Sequence, residues 1–341
     1  MGMWQKRITA SSASFAIIVY RKSFFLASCG GGGGGFGHAF LHCISYEELY
    51  DVENLRAGYE RLKRTTSPGI DGRIMREELT ERGFERLSDE LRRQRYAPKP
   101  AQRLILPTPE GGRPLSIACT VDKVVLSTLK TLTEPLFEPK FRESSHGFRP
   151  GRSCHSALRS LRSSWIGISW LVPLELKNSF QKVHHDILLK EMEPVMRSKS
   201  VEDLMRKILN AGYVDIHNLT NRSEYGTSQL VMGTIISPLC ANVFLHSLDC
   251  YVEDVLIPDY NSGDMSTEAE CEIAKRLKYL RYADSILLGV KGSKQDAVDM
   301  RAAVQSFLLR RLKLDIDEYK SPILNARSDM AKFLGTLIAY G

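Results

Sequence analysis

Two carboxylates attract attention because each stands at the end of an apolar run. Asp284 lies within "KYLRYADSILLGVKG" (residues 278–292), with a hydroxyl beside it at Ser285, and Glu175 closes the apolar part of "SWLVPLELKNSF" (residues 169–180). Both runs read as buried strands, the first folding back on itself so that Asp284 sits at the turn. Brought to one sheet edge, two such carboxylates repel unless a cation lies between them, and hard oxygen donors of this kind suit Mg²⁺. The chemistry served is phosphoryl transfer, in which ions about 3.5–4 Å apart activate an attacking hydroxyl and stabilise leaving pyrophosphate. Taken alone, Asp284 also reads as a turn residue satisfied by its own backbone.

Other elements must hold that edge in place. "YEELYDVENLRAGYERLKRT" has the helical spacing of Leu49, Val52, Leu55 and Tyr59, and "MREELTERGFERLSDELRRQRY" predicts a second helix. Residues 56–103 are rich in Arg and Lys, including Arg92, Arg93 and Arg95; a solvated helix face is the ordinary meaning of such charge. "AQRLILPTPEGGRPLSIA" predicts two strands around a turn, with Arg103 and Arg113 on opposite arms, where they could converge on one phosphate group. "HHDILLKEME" returns to helical spacing; adjacent rings at His184 and His185 diverge on a helix and make a poor metal pair. "MGTIISPLCANVFLHSLDCYVEDVL" predicts a turn and then an amphipathic helix with Pro238 in its first turn. "PDYNSGDMSTEAECE" reads as a surface insertion.

The chain of 341 residues is 43% hydrophobic and carries a formal net charge of +7, enough for a large core and suited to a polyanionic partner. Its longest apolar runs fall short of the roughly 20 residues that cross a bilayer, so no membrane span is expected. Seven cysteines without paired short spacing indicate neither a zinc site nor a disulfide framework, and fit a reducing compartment. Residues 1–45 are basic, Ser-rich and free of Asp and Glu, and include a glycine run. They read as an organellar leader, mitochondrial rather than chloroplast, followed by a flexible linker. A short leader that directs nothing fits the same composition.

The order of segments narrows the function. "SPGIDG", "RLILPTPEGGRPLSIACTVDKVVLSTL", "HGFRPGRSCHSAL", "LELKNSF", "GTIISPLCANVFLHSLD", "RYADS", "LKLDIDEYKS" and "KFLGTLI" follow one another as the fingers and palm blocks do in group II intron reverse transcriptase/maturases, and residues 46–341 resemble an organellar member of that family. The resemblance implies an α+β fold, a right-hand polymerase with fingers (46–165) and an antiparallel palm sheet with packed helices (166–341), the thumb being absent. It places Glu175 at the first metal-binding Asp, Asp284 at the first Asp of the Tyr-Ala-Asp-Asp box, and Ser285 at the second. Phe180 falls on the residue that screens the sugar 2′-hydroxyl, Arg103 and Arg113 on the hairpin that meets the incoming triphosphate, and Lys320 on the lysine of the next palm block. Phe333, Leu334 and Gly335 fall on the primer-grip turn. Mg²⁺, deoxynucleoside triphosphates and an RNA template or intron are the implied cofactor and partners, with Arg92, Arg93, Arg95, Arg149 and Arg152 as RNA contacts.

Departures from the family pattern qualify the chemistry. The family's Pro-Gln-Gly is "VMG" at 231–233, Pro173 removes a backbone donor from a strand expected to be central, and the chain ends shortly after Gly335, without thumb, maturase domain or endonuclease. Glu for Asp at 175 moves a carboxylate by about 1.5 Å, and displacements of about 1 Å can cost ~10²-fold in rate. Three expectations follow: an RNA-directed DNA polymerase of impaired activity, a non-catalytic RNA-binding splicing cofactor for organellar group II introns, or a non-functional relic.

Overall fold

The spacing of Leu49 to Tyr59 predicts one helix; the computed structural model, which describes residues 43–62, 67–72, 79–108, 111–177, 183–215, 234–261 and 275–339, has two. Asp51 adopts φ −61°, ψ 128°, closes α1 (Tyr46–Tyr50), and caps α2 (Val52–Glu60) by accepting from the Asn54 amide at 3.0 Å. An N-capping Asp competes with helix continuation, which the apolar spacing does not register. α3 (Glu81–Arg92) turns Phe84, Leu87 and Leu91 into the core. β1 (Ala101–Thr108) and β2 (Gly111–Ile117) form the expected hairpin. The buried helix α4 (Thr120–Phe137) follows.

Asp122 on α4 is a buried carboxylate whose oxygens accept from the Tyr96 hydroxyl at 2.5 Å and the Lys99 amide at 3.1 Å. Burial pushes its carboxyl up to about 6, against the opposing pull of those two hydrogen bonds. The folded state therefore holds this proton more tightly than the unfolded chain. Asp122 contributes its full stability only below about pH 4, and that contribution falls as pH rises through 6, by about 3 kcal/mol in all. Urea unfolding from pH 4 to 7 is expected to show this loss in the parent chain and not in Asp122→Asn; parallel curves would contradict it.

Beyond α4 come α5 (Cys154–Ser164), β3 (Trp170–Glu175), α6 (His185–Met192), α7 (Lys199–Asn210) and β4 (Tyr213–Asp215). β4 runs parallel to β1, so the three-stranded sheet β2-β1-β4 takes one strand from beyond residue 166. Next are α8 (Ser237–Tyr251), α9 (Ile257–Asn261), β5 (Arg276–Tyr282), β6 (Ser285–Lys291), α10 (Lys294–Phe307), β7 (Leu324–Asn325), β8 (Ala331–Phe333) and β9 (Thr336–Ile338). The central sheet has the order β5-β6-β3-β7, antiparallel throughout. Alternation along its strands sorts the side chains: Val172, Leu174, Ile286 and Leu288 join the main core with α8, and Leu171, Leu280 and Leu287 meet α5 and the β8–β9 hairpin.

Two expectations change in this setting. α8 is not amphipathic: Leu239, Ala241, Asn242, Phe244 and Asp249 are all buried, on positions spread around the helix. Pro173 is accommodated although β3 is internal to the sheet. The amide and carbonyl of Glu175 bond to the Ser321 hydroxyl and the Asp317 amide, on the side away from β6. Pro173 has the same parity, so its missing N–H faces that side too, where β7 pairs only with Trp170 and Leu171.

Candidate active site

The sheet register brings the two carboxylate positions together. Glu175 pairs with Ser285 across β3 and β6, and Tyr282 pairs with Ser285 across the β5–β6 turn, which leaves Ala283 and Asp284 at the tip. The Ser285 hydroxyl donates to Glu175 Oε1 at 3.1 Å. Burial pushes the Glu175 carboxyl up; Asp284 and Asp317 add to the rise, while the Ser285 hydrogen bond and the Lys320 ammonium oppose it. The region is thus a carboxylate cluster held at the end of a buried sheet.

A buried polar network fixes the tip. Ala283 has φ 56°, a left-handed conformation that costs a non-glycine residue roughly 1–2 kcal/mol. Arg281, fully buried, donates from Nη1 to the Ala283 carbonyl at 2.9 Å and to Asn242 Oδ1 at 3.1 Å. Its Nε and Nη2 grip Asp249 at 2.7 and 2.6 Å, and Nη2 also donates to Ser145 Oγ at 2.8 Å. The Tyr279 hydroxyl donates to Asp249 Oδ1 at 2.6 Å. The 144–147 segment is laced to the same strand end: Arg281 N donates to the Ser144 carbonyl, His146 N to the Arg281 carbonyl, and Asn242 Nδ2 to the Gly147 carbonyl. A Cβ at Gly147 would collide with the Ala283 backbone nitrogen, so only glycine permits this approach. Arg281, Asp249, Asn242 and Gly147 were not singled out by the sequence; the usable signal is parity, since Arg281 falls on the face of Leu277 and Tyr279 in "RLKYLRY".

The other expected site residues are dispersed. Arg103 is half-buried, its guanidinium 4.3 Å from the Tyr213 ring centroid. Arg103 pairs with Ser116 and Arg113 with Leu106, three rungs apart along the ribbon. Phe180 and residues 231–233 lie outside the described residues. Lys320 is exposed at the end of a 3-10 turn, Glu318–Lys320. Leu334 and Gly335, with φ 52° and 73°, make the tight turn between β8 and β9. Arg92, Arg93 and Arg95 are exposed and gather around the single carboxylate of Asp89 at 2.8, 2.8 and 3.3 Å. Arg149 corrects an expectation. It is buried, with its guanidinium on the Glu138 carboxylate and on the Arg142 and Ser145 carbonyls, so it braces the loop instead of reaching a ligand. Arg152 is anchored on the Glu143 carbonyl and carboxylate at 2.7 and 2.6 Å.

The donor set fits one oxygen-bound cation. Mg²⁺ is commonly held by one or two carboxylates while water and substrate phosphates complete its shell. Glu175 and Asp284 supply that much. Among the described residues no group of three or more His, Cys, Asp or Glu side chains could hold a metal ion. Nor is any described helix long and apolar enough to cross a membrane.

Residues 97–338 match the family model described as reverse transcriptase (RNA-dependent DNA polymerase). The chain is 30% identical over 328 residues to a putative COX1/OXI3 intron 1 protein of Saccharomyces cerevisiae, covering 84% of this chain and 38% of that protein. It is 27% identical over 341 residues to the group II intron-encoded protein LtrA of Lactococcus lactis subsp. cremoris, covering 86% of this chain and 54% of the relative. Among solved structures, an apo telomerase of Candida tropicalis truncated from its C-terminal domain matches with a TM-score of 0.50 at 12% identity, over 71% of this chain and 53% of that one. That likeness speaks to the fold alone.

Proposed function

Since this chain belongs to the reverse transcriptase family, among relatives encoded by group II introns, we propose that it is a reverse transcriptase/maturase-like protein that binds RNA and extends primers weakly. The observation that carries this reading is the pairing of Glu175 with Ser285: a hydroxyl hydrogen-bonded to a lengthened carboxylate stands beside Asp284. Glu175 and Asp284 would hold Mg²⁺, which when bound supplies positive charge to the reacting phosphate and hydroxyl oxygens. Arg103 and Arg113 would meet the phosphates of a deoxynucleoside triphosphate, Phe180 its sugar, and Lys320 would balance the carboxylate charge. The half-buried Glu175 carboxyl, pushed up by burial, competes for a proton with any cation. RNA contacts from Arg92, Arg93, Arg95 and Arg152 need no metal. The acid-free basic leader supports a mitochondrial location.

The hydroxyl at 285 also supports a second reading, an RNA-binding splicing cofactor without polymerase chemistry. The two separate in one experiment. With an RNA template and Mg²⁺ or Mn²⁺, the chain is expected to extend a primer feebly, and Asp284→Ala to abolish that extension while leaving RNA affinity unchanged. Extension that survives Asp284→Ala would contradict the assignment of the site, and no extension with either ion would favour the cofactor.

A further inference from the structure

No Asp or Glu occurs between Glu143 and Glu175, and α5 lies in the middle of that stretch. Its inner face is fixed. Ala157 is buried, and Leu158 and Leu161 pack with Leu280, Leu287 and Phe333 against the central sheet and the β8–β9 hairpin. The helix cannot roll, so its outer face is set. That face carries His155, Arg159 and Arg162, all exposed and spaced four and three residues apart, which puts them in one row. Just past the helix, Ile166 is 71% exposed.

Several arginines elsewhere on the described surface are tied to carboxylates, while Arg310 and Arg311, like those of α5, are not. Arg92, Arg93 and Arg95 share Asp89, Arg206 is held by Asp186 and Glu202, and Arg142 by Asp254. Neither Arg159 nor Arg162 has a carboxylate partner among the described residues; Arg159 makes only a 3.4 Å bond to the His155 carbonyl. The row also has a definite origin. The N-terminus of α5 adjoins the loop that clamps the Asp284 turn: His146 Nδ1 lies 2.9 Å from Ser156 Oγ, and Arg152 precedes the Ser153 cap. From there to Arg162 the helix rises roughly 12 Å at about 1.5 Å per residue, the span of about two phosphates of an extended strand.

We infer that the outer face of α5 is a phosphate-backbone track, with Arg159 and Arg162 gripping a nucleic-acid strand that leads away from the Asp284 turn. The inference rests on the RNA-handling reading above and adds its surface. Arg152 shares its guanidinium with Glu143, so within this stretch the grip falls chiefly on Arg159 and Arg162. Contacts of this kind position a strand without reading its bases.

The test is fluorescence anisotropy of the full chain with two unrelated single-stranded RNAs and a DNA of matching sequence across a salt series. Arg159→Gln/Arg162→Gln is expected to weaken both RNAs alike, on the order of tenfold at 0.1 M salt, and to flatten the logarithmic salt dependence by about 1.4. An equal loss on DNA assigns the shared phosphodiester backbone; a loss confined to RNA assigns the RNA strand. Arg310→Gln/Arg311→Gln removes the same charge from two exposed arginines outside α5 and is expected to have a smaller effect. Equal effects of the two variants, or none from the α5 variant, would overturn the track while leaving RNA binding intact. If the unsubstituted chain bound no RNA, the functional reading would fall with it.

Discussion

Removing either partner of the buried Arg281–Asp249 pair is expected to destabilise the folded chain by about 3–5 kcal/mol, the penalty for leaving one buried charge uncompensated. Both side chains are fully inaccessible to solvent, and their shared hydrogen bonds also engage Tyr279, Asn242, Ser145 and the Ala283 carbonyl. Arg281→Met and Asp249→Leu are each expected to lower the denaturation midpoint sharply. The double variant, which buries neither charge, is expected to lose far less than the sum, because residues in one network do not act additively. Guanidinium unfolding of the four proteins decides the matter. Single losses below about 1 kcal/mol, or additive losses, would mean that the pair does not hold the Asp284 turn.

The second large effect concerns the substituted carboxylates. Glu175→Asp withdraws one carboxylate, and Ser285→Asp replaces the hydroxyl that now donates to it. Ser285→Asp alone sets a third carboxylate against an over-long Glu175, which limits its gain. Glu175→Asp alone shortens a ligand without adding charge. Together they are expected to tighten Mg²⁺ binding, measured by calorimetry, by about 1 kcal/mol or more beyond the sum of the single changes. Strict additivity would contradict the register that places residues 175 and 285 opposite each other.

Much of this arrangement was legible in the residues, and the reason is local. Glu175 and Asp284 end apolar runs, strand alternation is written in those runs, and Gly111 and Gly112 open β2 where the hairpin was expected. The unread parts depend on distant partners. Arg149 looks like any loop arginine until Glu138 and two carbonyls enclose it. Arg281 and Asp249 lie 32 positions apart, and strand parity hints at the burial of Arg281 without naming the carboxylate that meets it. The parallel pairing of β4 with β1 joins residues more than a hundred positions apart, beyond the reach of periodicity. Even the α1–α2 break follows from one capping side chain that apolar spacing ignores. The row on α5 was not singled out, because only the packed inner face of the helix turns its arginines into a surface.

Single-nucleotide primer extension on an RNA template with Mg²⁺, run with the parent chain beside Glu175→Asp/Ser285→Asp, bears most directly on the palm as a weakened polymerase site. The parent is expected to add nucleotides slowly and the double variant on the order of 10²-fold faster, the scale set by a misplacement of about 1 Å at a reacting centre. A parent that already extends efficiently, or a double variant that folds and binds RNA but extends no faster, would contradict it.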